Sequence, residues 1–188
     1  MAQVSIWRKL IRRFKKWLHK HDGGNVKVVK TGKNVQFENR IFFPLIVEEI
    51  QKGHTVTINL RGNSMRPFLE SDRDRALLTN PDGVGVGDPV LAEIEPGHFV
   101  LHRIIKIEGD DVTLMGDGNL GCEYCKTTDF RASIVGFYRK GRKTLDRIDG
   151  RKWKTYSWFW TRLCPVRRYL LAAYRYIWLN LFPVKYKK

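Results

Sequence analysis

The chain has 188 residues, an ordinary apolar fraction of 43% and a formal net charge of +16. This length allows one domain with appendages and a buried core, whereas three cysteines are too few for a scaffold built on disulfides. No segment reaches the roughly twenty apolar residues that cross a bilayer, so we expect no transmembrane helix.

The charge is unevenly distributed. Residues 1–20 carry +7, residues 21–136 carry −4 and residues 137–188 carry +13. A mildly acidic middle between two basic ends predicts a domain with surface-docking arms. The absence of a secretory h-region predicts a cytoplasmic or peripheral membrane protein in a reducing compartment.

The first predicted element is a basic amphipathic helix over residues 4–20, within an N-terminal segment 1–24. Its apolar side chains recur at helical spacing, and lysine and arginine occupy much of the remaining surface. This pattern is typical of a helix that lies on an anionic membrane surface. Packing on the domain, or contact with nucleic acid, are the alternatives.

Two short strands are predicted next, over residues 26–30 and 34–37, and a helix over 45–52, with Pro44 in its first turn. Short β runs then follow one another without intervening helices. We predict strands at residues 55–61, 75–79, 89–95, 98–108, 111–115 and 131–138. This spacing indicates a mainly β domain over residues 25–150, a small coiled barrel with short helices at both ends, α+β overall.

The C-terminal segment, residues 151–188, is basic and rich in aromatic side chains. Tryptophan and tyrosine favour the headgroup zone of a bilayer. We therefore expect peripheral binding to an anionic membrane surface through residues 4–20 and 151–183. Nucleic acid is not an expected partner.

One serine and one histidine suggest nucleophilic catalysis. Ser64 follows the run at residues 55–61, and His102 lies in the predicted strand 98–108. A serine hydroxyl becomes a useful nucleophile when a base lies within hydrogen-bond reach, and histidine titrates nearest to neutral pH. His98 lies on the same strand face by the two-residue period, so an exchange of roles between the two histidines stays open.

Four short motifs occur in order around this pair: Gly62-Asn-Ser64-Met65-Arg-Pro67, Gly87-Asp88-Pro-Val90, His102-Arg103-Ile104 and Gly116-Asp117-Gly-Asn119. Together they resemble the signal peptidase I and SOS-repressor serine peptidases, the S26 and S24 families, over roughly residues 55–138. The base position holds His102. In this the chain resembles the endoplasmic-reticulum, archaeal and sporulation-type branch, which uses Ser and His for catalysis.

The resemblance implies a serine endopeptidase that cleaves a peptide or protein precursor through an acyl-enzyme, with no metal and no cofactor. Ser64 would be the nucleophile and His102 the base. The backbone around Gly62 would supply the oxyanion donors. Met65 and Arg103 would be supporting residues of the site. Asp117 matches the first acid of the last motif, which orients the imidazole. The second acid is either Glu123 or Asp129.

Two alternatives remain at this stage. The pair Cys122 and Cys125 is either two thiols in a loop or a reversible disulfide beside the site, since a structural zinc site needs more ligands. A non-catalytic regulator that uses the same β scaffold to bind membrane or nucleic acid is the rival to the enzyme.

Overall fold

The computed structural model describes residues 29–31, 34–36, 39–140 and 142–182. The chain divides into two compact units, Met1–Leu45 and Ile46–Lys188, which we describe separately. The predicted basic helix at residues 4–20 lies outside the described residues.

The first unit contains a small antiparallel pair of strands. β1 (Val29–Thr31) pairs with β2 (Asn34–Gln36), and Thr31 lies opposite Asn34. This confirms the predicted strand pair within the described residues. Helix α1 (Asn39–Gln51) begins earlier than predicted, so Pro44 lies inside the helix and not in its first turn. Proline removes one backbone donor there, and the helix continues past that loss.

The second unit is built on an antiparallel sheet of eight strands. They are β3 (Val56–Asn59), β4 (Arg75–Thr79), β5 (Pro89–Glu95), β6 (His98–Glu108), β7 (Asp111–Met115), β8 (Glu123–Lys126), β9 (Phe130–Tyr138) and β10 (Leu145–Arg147). The order is β3-β4-β9-β5-β6-β7-β8, and β10 pairs with β9. The molecule is therefore α+β with a mainly antiparallel sheet.

The core lies under the centre of this sheet. A buried cluster joins β5, β6, β7 and β9: Val90, Ala92, Val100, Ile104, Val112, Leu114 and Phe130. In β6, His102 pairs across to Val90 and Arg103 pairs across to Met115. Successive side chains of a strand point to opposite faces, so His102 and Arg103 serve different sides of the sheet.

The C-terminal segment folds back on this unit as a series of helical turns. They are α2 (Arg151–Arg162), a 3-10 turn (Cys164–Val166), α3 (Arg167–Ala173), a π turn (Tyr174–Trp178) and α4 (Leu179–Leu181). Trp153, Ser157, Trp160, Arg167 and Leu171 are buried. The segment that was predicted to be a surface arm, residues 151–188, thus also buries one of its faces against the domain, within the described residues 151–182. None of the helices in the described ranges is long and apolar enough to cross a membrane.

Candidate active site

Ser64 lies in a loop that leaves the end of β3. The loop turns at Gly62, whose φ of +90° favours glycine. The Gly62 N–H donates to Ser71 Oγ at 3.1 Å, and the Asp72 N–H donates to the Leu60 carbonyl at 2.8 Å. These bonds close the loop on itself and hold Ser64 half-buried within it.

His102 projects from β6 with only 5% of its side chain exposed. Its Nδ1 lies 2.6 Å from Glu123 Oε2. Glu123 is the first residue of β8. Its backbone pairs with Leu114 of β7, and this register positions the Glu123 carboxylate. A proton on Nδ1 that donates to Glu123 leaves Nε2 as the basic nitrogen. Of the two acids left open by the sequence, Glu123 is the one that contacts His102.

Gly116 lies between the serine and the histidine. It follows β7, one position beyond the pair of Arg103 with Met115. A Cβ built on Gly116 would lie 2.5 Å from the Ser64 carbonyl oxygen and 3.0 Å from His102 Nε2. The Ser64 carbonyl oxygen and His102 Nε2, which lie 2.5 and 3.0 Å from that one point, are therefore at most 5.5 Å apart. Nε2 thus faces the turn that carries Ser64.

Gly118 completes this close approach. Its N–H donates to the Ser64 carbonyl at 2.7 Å, and a Cβ at Gly118 would lie 2.5 Å from the Asn63 carbonyl oxygen. The two glycines let the loop after β7 pack directly on the backbone of the Ser64 turn. The spacing of the last motif therefore has a packing reason, which is contact between backbones.

Ser64 and His102 line one partly open pocket of about 140 Å³. The other lining residues are Leu60, Arg61, Gly62, Met65, Leu69, Glu70, Phe99, Val100 and Leu101. Across the described part of the chain, no hydrogen bond joins Ser64 Oγ to the His102 ring. Such bonds are often long in an unliganded site and tighten with substrate. Ser64 and His102 therefore share a cavity in an open arrangement.

Asp117 does not orient the imidazole, contrary to the sequence-based expectation. Its carboxylate accepts from Arg103 Nε at 2.8 Å and Nη2 at 2.7 Å, and from the Tyr156 hydroxyl at 2.9 Å. The reason is the alternation of β6, which turns Arg103 away from the face of His102. Asp117 follows Arg103 to that side, and both side chains are fully buried.

Arg103 and Asp117 form an ion pair that is enclosed by the protein. Burial by itself would lower the pKa of Arg103, but the charge and hydrogen bonds of Asp117 raise it above its ordinary value. Burial, together with the Asp117 charge, raises the pKa of Tyr156 well above its ordinary range, so Tyr156 stays a donor. Arg103 also lies over the Trp153 ring at 4.5 Å.

Helix α2 supplies contacts that the sequence alone did not reveal. The Trp160 indole N–H donates to the Asp117 carbonyl at 3.1 Å, and Ser157 Oγ donates to the Gly87 carbonyl at 2.8 Å. Arg103 Nη1 donates to the same carbonyl at 2.7 Å. The helix thus fixes both glycine–aspartate motifs. The signal was the i, i+3, i+4, i+7 spacing of Trp153, Tyr156, Ser157 and Trp160.

The search against protein-family models matches no family, and the search of curated proteins gives no significant match. The candidate site is defined by its geometry. Its elements are a loop serine, a histidine held by a carboxylate, and a cavity that both line.

The other residues that the sequence singled out are Met65, Asp129 and His98. Met65 is buried and lines the pocket. Asp129 accepts from the Lys126 N–H at 2.7 Å and caps a short 3-10 turn, away from His102. His98 is exposed, 3.9 Å from Glu95 at the start of β6, so it has a surface position.

The cysteine pair is not bonded. Cys122 is exposed and Cys125 is half-buried, and both are free thiols. Burial raises the pKa of Cys125 to about 11, which makes its thiolate scarce at neutral pH. Within the described ranges no cluster of metal-ligating side chains occurs.

Proposed function

We propose that this protein is a serine endopeptidase in which Ser64 is the nucleophile, His102 the base and Glu123 the acid that orients the base. The observation that carries this proposal is the 2.6 Å contact between His102 Nδ1 and Glu123, which leaves Nε2 facing the Ser64 turn. A nucleophile, a base and an orienting carboxylate are the parts that acyl transfer requires.

In the proposed reaction, Ser64 Oγ attacks the peptide carbonyl carbon while Nε2 takes the hydroxyl proton. The imidazolium then gives that proton to the leaving amine as the C–N bond breaks, which leaves an ester on Ser64. Water attacks the ester with the same base, and Ser64 is restored. Glu123 stabilises the imidazolium in both halves of the cycle.

The oxyanion needs a backbone donor at the turn. The Gly62 N–H is already bonded to Ser71 Oγ. We therefore place the donor at the N–H of Ser64 itself, two residues further along the same turn. The sequence resemblance predicts an oxyanion hole formed by the backbone around Gly62, and the proposal assigns the donor to one residue of that turn.

The substrate class follows from the pocket and the resemblance together. Leu60, Met65, Leu69 and Phe99 give the pocket apolar walls, and a volume of about 140 Å³ suits a small apolar side chain before the scissile bond. We propose a leader or precursor peptide as substrate. The proposal includes the finer fold class, the coiled barrel of the signal-peptidase and SOS-repressor families.

The test is active-site labelling of the full chain with a fluorophosphonate, followed by peptide mass spectrometry. We expect the label on Ser64, none on Ser64→Ala, and labelling reduced by about 10³-fold or more in His102→Ala. His98→Ala is the matched control, since it removes an exposed histidine from the same strand, and it should label like the native protein. Equal labelling of Ser64→Ala would contradict the proposal.

A further inference from the structure

The C-terminal helical turns expose an unusual number of large apolar side chains. We call this set the C-terminal apolar surface: Trp158, Phe159, Val166, Tyr169, Leu170, Tyr176, Ile177, Trp178, Leu181 and Phe182. Their exposed fractions run from 39% for Leu170 to 76% for Tyr176. Scattered apolar side chains are normal on a protein surface, but a concentration of this kind marks an interaction site.

Basic side chains are interspersed with this surface. Residues 151–182 contain seven lysines and arginines and no aspartate or glutamate. Arg162 lies over the Trp158 ring at 4.0 Å, and Arg168 lies over the Tyr169 ring at 5.0 Å. Arg175 is exposed in the π turn. The partner must therefore accept apolar side chains and supply negative charge.

We propose that the C-terminal apolar surface binds the headgroup region of an anionic lipid bilayer. Tryptophan and tyrosine rings lie at the boundary between headgroups and acyl chains. Aliphatic side chains such as Ile177 and Leu181 enter the acyl boundary, and arginines beside them bind lipid phosphates. The helical turns lie in the plane of the surface and do not cross it.

Charge complementarity favours lipid over the protein occupants that this chain could itself supply. A second copy that met this surface through the same surface would bring the basic segment against itself, with no acidic residue in 151–182 to neutralise it. Residues 1–20 carry seven lysines and arginines and no acid, so they too would be repelled. Like charges brought together across an interface oppose binding.

This docking is independent of the proposed catalysis, because the exposed side chains are not those that line the pocket. The test is sedimentation of the full chain with vesicles of phosphatidylcholine, with and without phosphatidylglycerol. The variant carries Tyr176→Ser, Trp178→Ser and Phe182→Ser, all at exposed positions. We expect its partition coefficient to fall by about tenfold or more, since each aromatic side chain loses its burial in the interface.

The matched control carries Val86→Ser and Leu120→Ser, which are equally exposed but lie outside the C-terminal segment. We expect it to sediment like the native chain. A second variant, Arg168→Glu with Arg175→Glu, should lose the preference for phosphatidylglycerol, and added salt should reproduce that loss. Unchanged thermal unfolding of each variant shows that the fold is kept.

Several outcomes overturn the proposal. If the triple serine variant binds vesicles as tightly as the native chain, the docking surface lies elsewhere, with residues 4–20 as the next segment to vary. Self-association in lipid-free sedimentation velocity that disappears in that variant assigns the surface to a second copy. Retention on DNA that depends on the same aromatic residues, without vesicle binding, assigns it to nucleic acid.

Discussion

His102 depends on one carboxylate for its orientation. Glu123 holds Nδ1 at 2.6 Å, and the Glu123 side chain is 30% exposed while the imidazole is 5% exposed. The carboxylate is thus partly solvated while the imidazole is sheltered from water. Arg103, the next residue, performs a different task on the opposite face, where it binds Asp117.

Glu123→Gln should lower kcat of the proposed peptidase by about 10² to 10⁴-fold, because an amide neither favours the required tautomer nor stabilises an imidazolium. KM should change little. Asp129→Asn is the matched control, since it alters an acid in the 3-10 turn that follows β8, where it caps that turn. We expect kcat of that variant to stay within about twofold of the native value. Loss of activity in both variants alike would assign Glu123 a structural role.

The sequence allows Ser64 and His102 to be selected as candidate site residues, because Ser64 follows one predicted strand and His102 lies in another. It leaves Glu123 and Asp129 as alternatives, because residues 116–129 carry little periodicity from which to predict their register. The role expected for Asp117 was wrong because a motif gives residue order and not the face on which a strand presents each side chain.

The contact between two loops determines the geometry of the site. The loop after β7 carries Gly116 and Gly118, and the loop after β3 carries Ser64. The backbones touch, with Gly118 N–H bonded to the Ser64 carbonyl at 2.7 Å. We expect even a small added volume at this contact to separate Ser64 from His102.

Gly116→Ala should abolish fluorophosphonate labelling of Ser64. Its methyl group would lie 2.5 Å from the Ser64 carbonyl oxygen and 3.0 Å from His102 Nε2, so one loop must move. We also expect a loss of about 1–3 kcal/mol in the free energy of unfolding, measured in urea. Gly121→Ala is the control in the same loop, because its methyl group meets nothing within 4 Å. Normal labelling of Gly116→Ala would show that the two loops adjust without cost.

The strands with clear alternation were predicted correctly, and β4, β5, β6 and β7 have the expected bounds. β8 and β10 were missed. Neither stretch has the run of β-branched and aromatic residues that predicts a strand. Helix α2 was interpreted as a surface arm because its aromatic composition was noted without its buried face.

Across the molecule, one buried acid ties the ends of several elements together. Asp74 is fully buried, and it accepts from Arg73 Nε and Nη2, both at 2.8 Å. It also accepts from the Glu70 N–H at 3.0 Å and the Lys140 N–H at 2.9 Å. The Ser64 loop and the segment after β9 therefore share this carboxylate.

Burial by itself would raise the pKa of Asp74, but these hydrogen bonds outweigh it and hold the pKa below the ordinary value of 3.8. A lowered pKa means that the ionised form favours the folded state. Its contribution is complete above the unfolded pKa and is lost as the pH falls through the folded pKa. The fold should therefore lose stability below about pH 4.

Asp74→Asn should lower the free energy of unfolding at pH 7 by about 2–4 kcal/mol, because half-buried Arg73 and two backbone N–H donors lose an ionised acceptor. The difference from the native chain should shrink as the pH falls below about 4. Urea unfolding at several pH values measures both effects. Asp82→Asn, at an exposed turn, should give the native curve. A difference that is constant with pH would contradict the ionisation argument.

The contacts of α2 have a consequence for the order in which the chain becomes complete. Tyr156, Ser157 and Trp160 are synthesised after Gly87 and Asp117, yet they hold these two residues in place. A nascent chain that ends before residue 151 already contains Ser64, His102 and Glu123. It lacks the helix that shields the Arg103–Asp117 pair from water, so the support of the Gly116–Gly118 loop is added only after residues 151–162 have been synthesised.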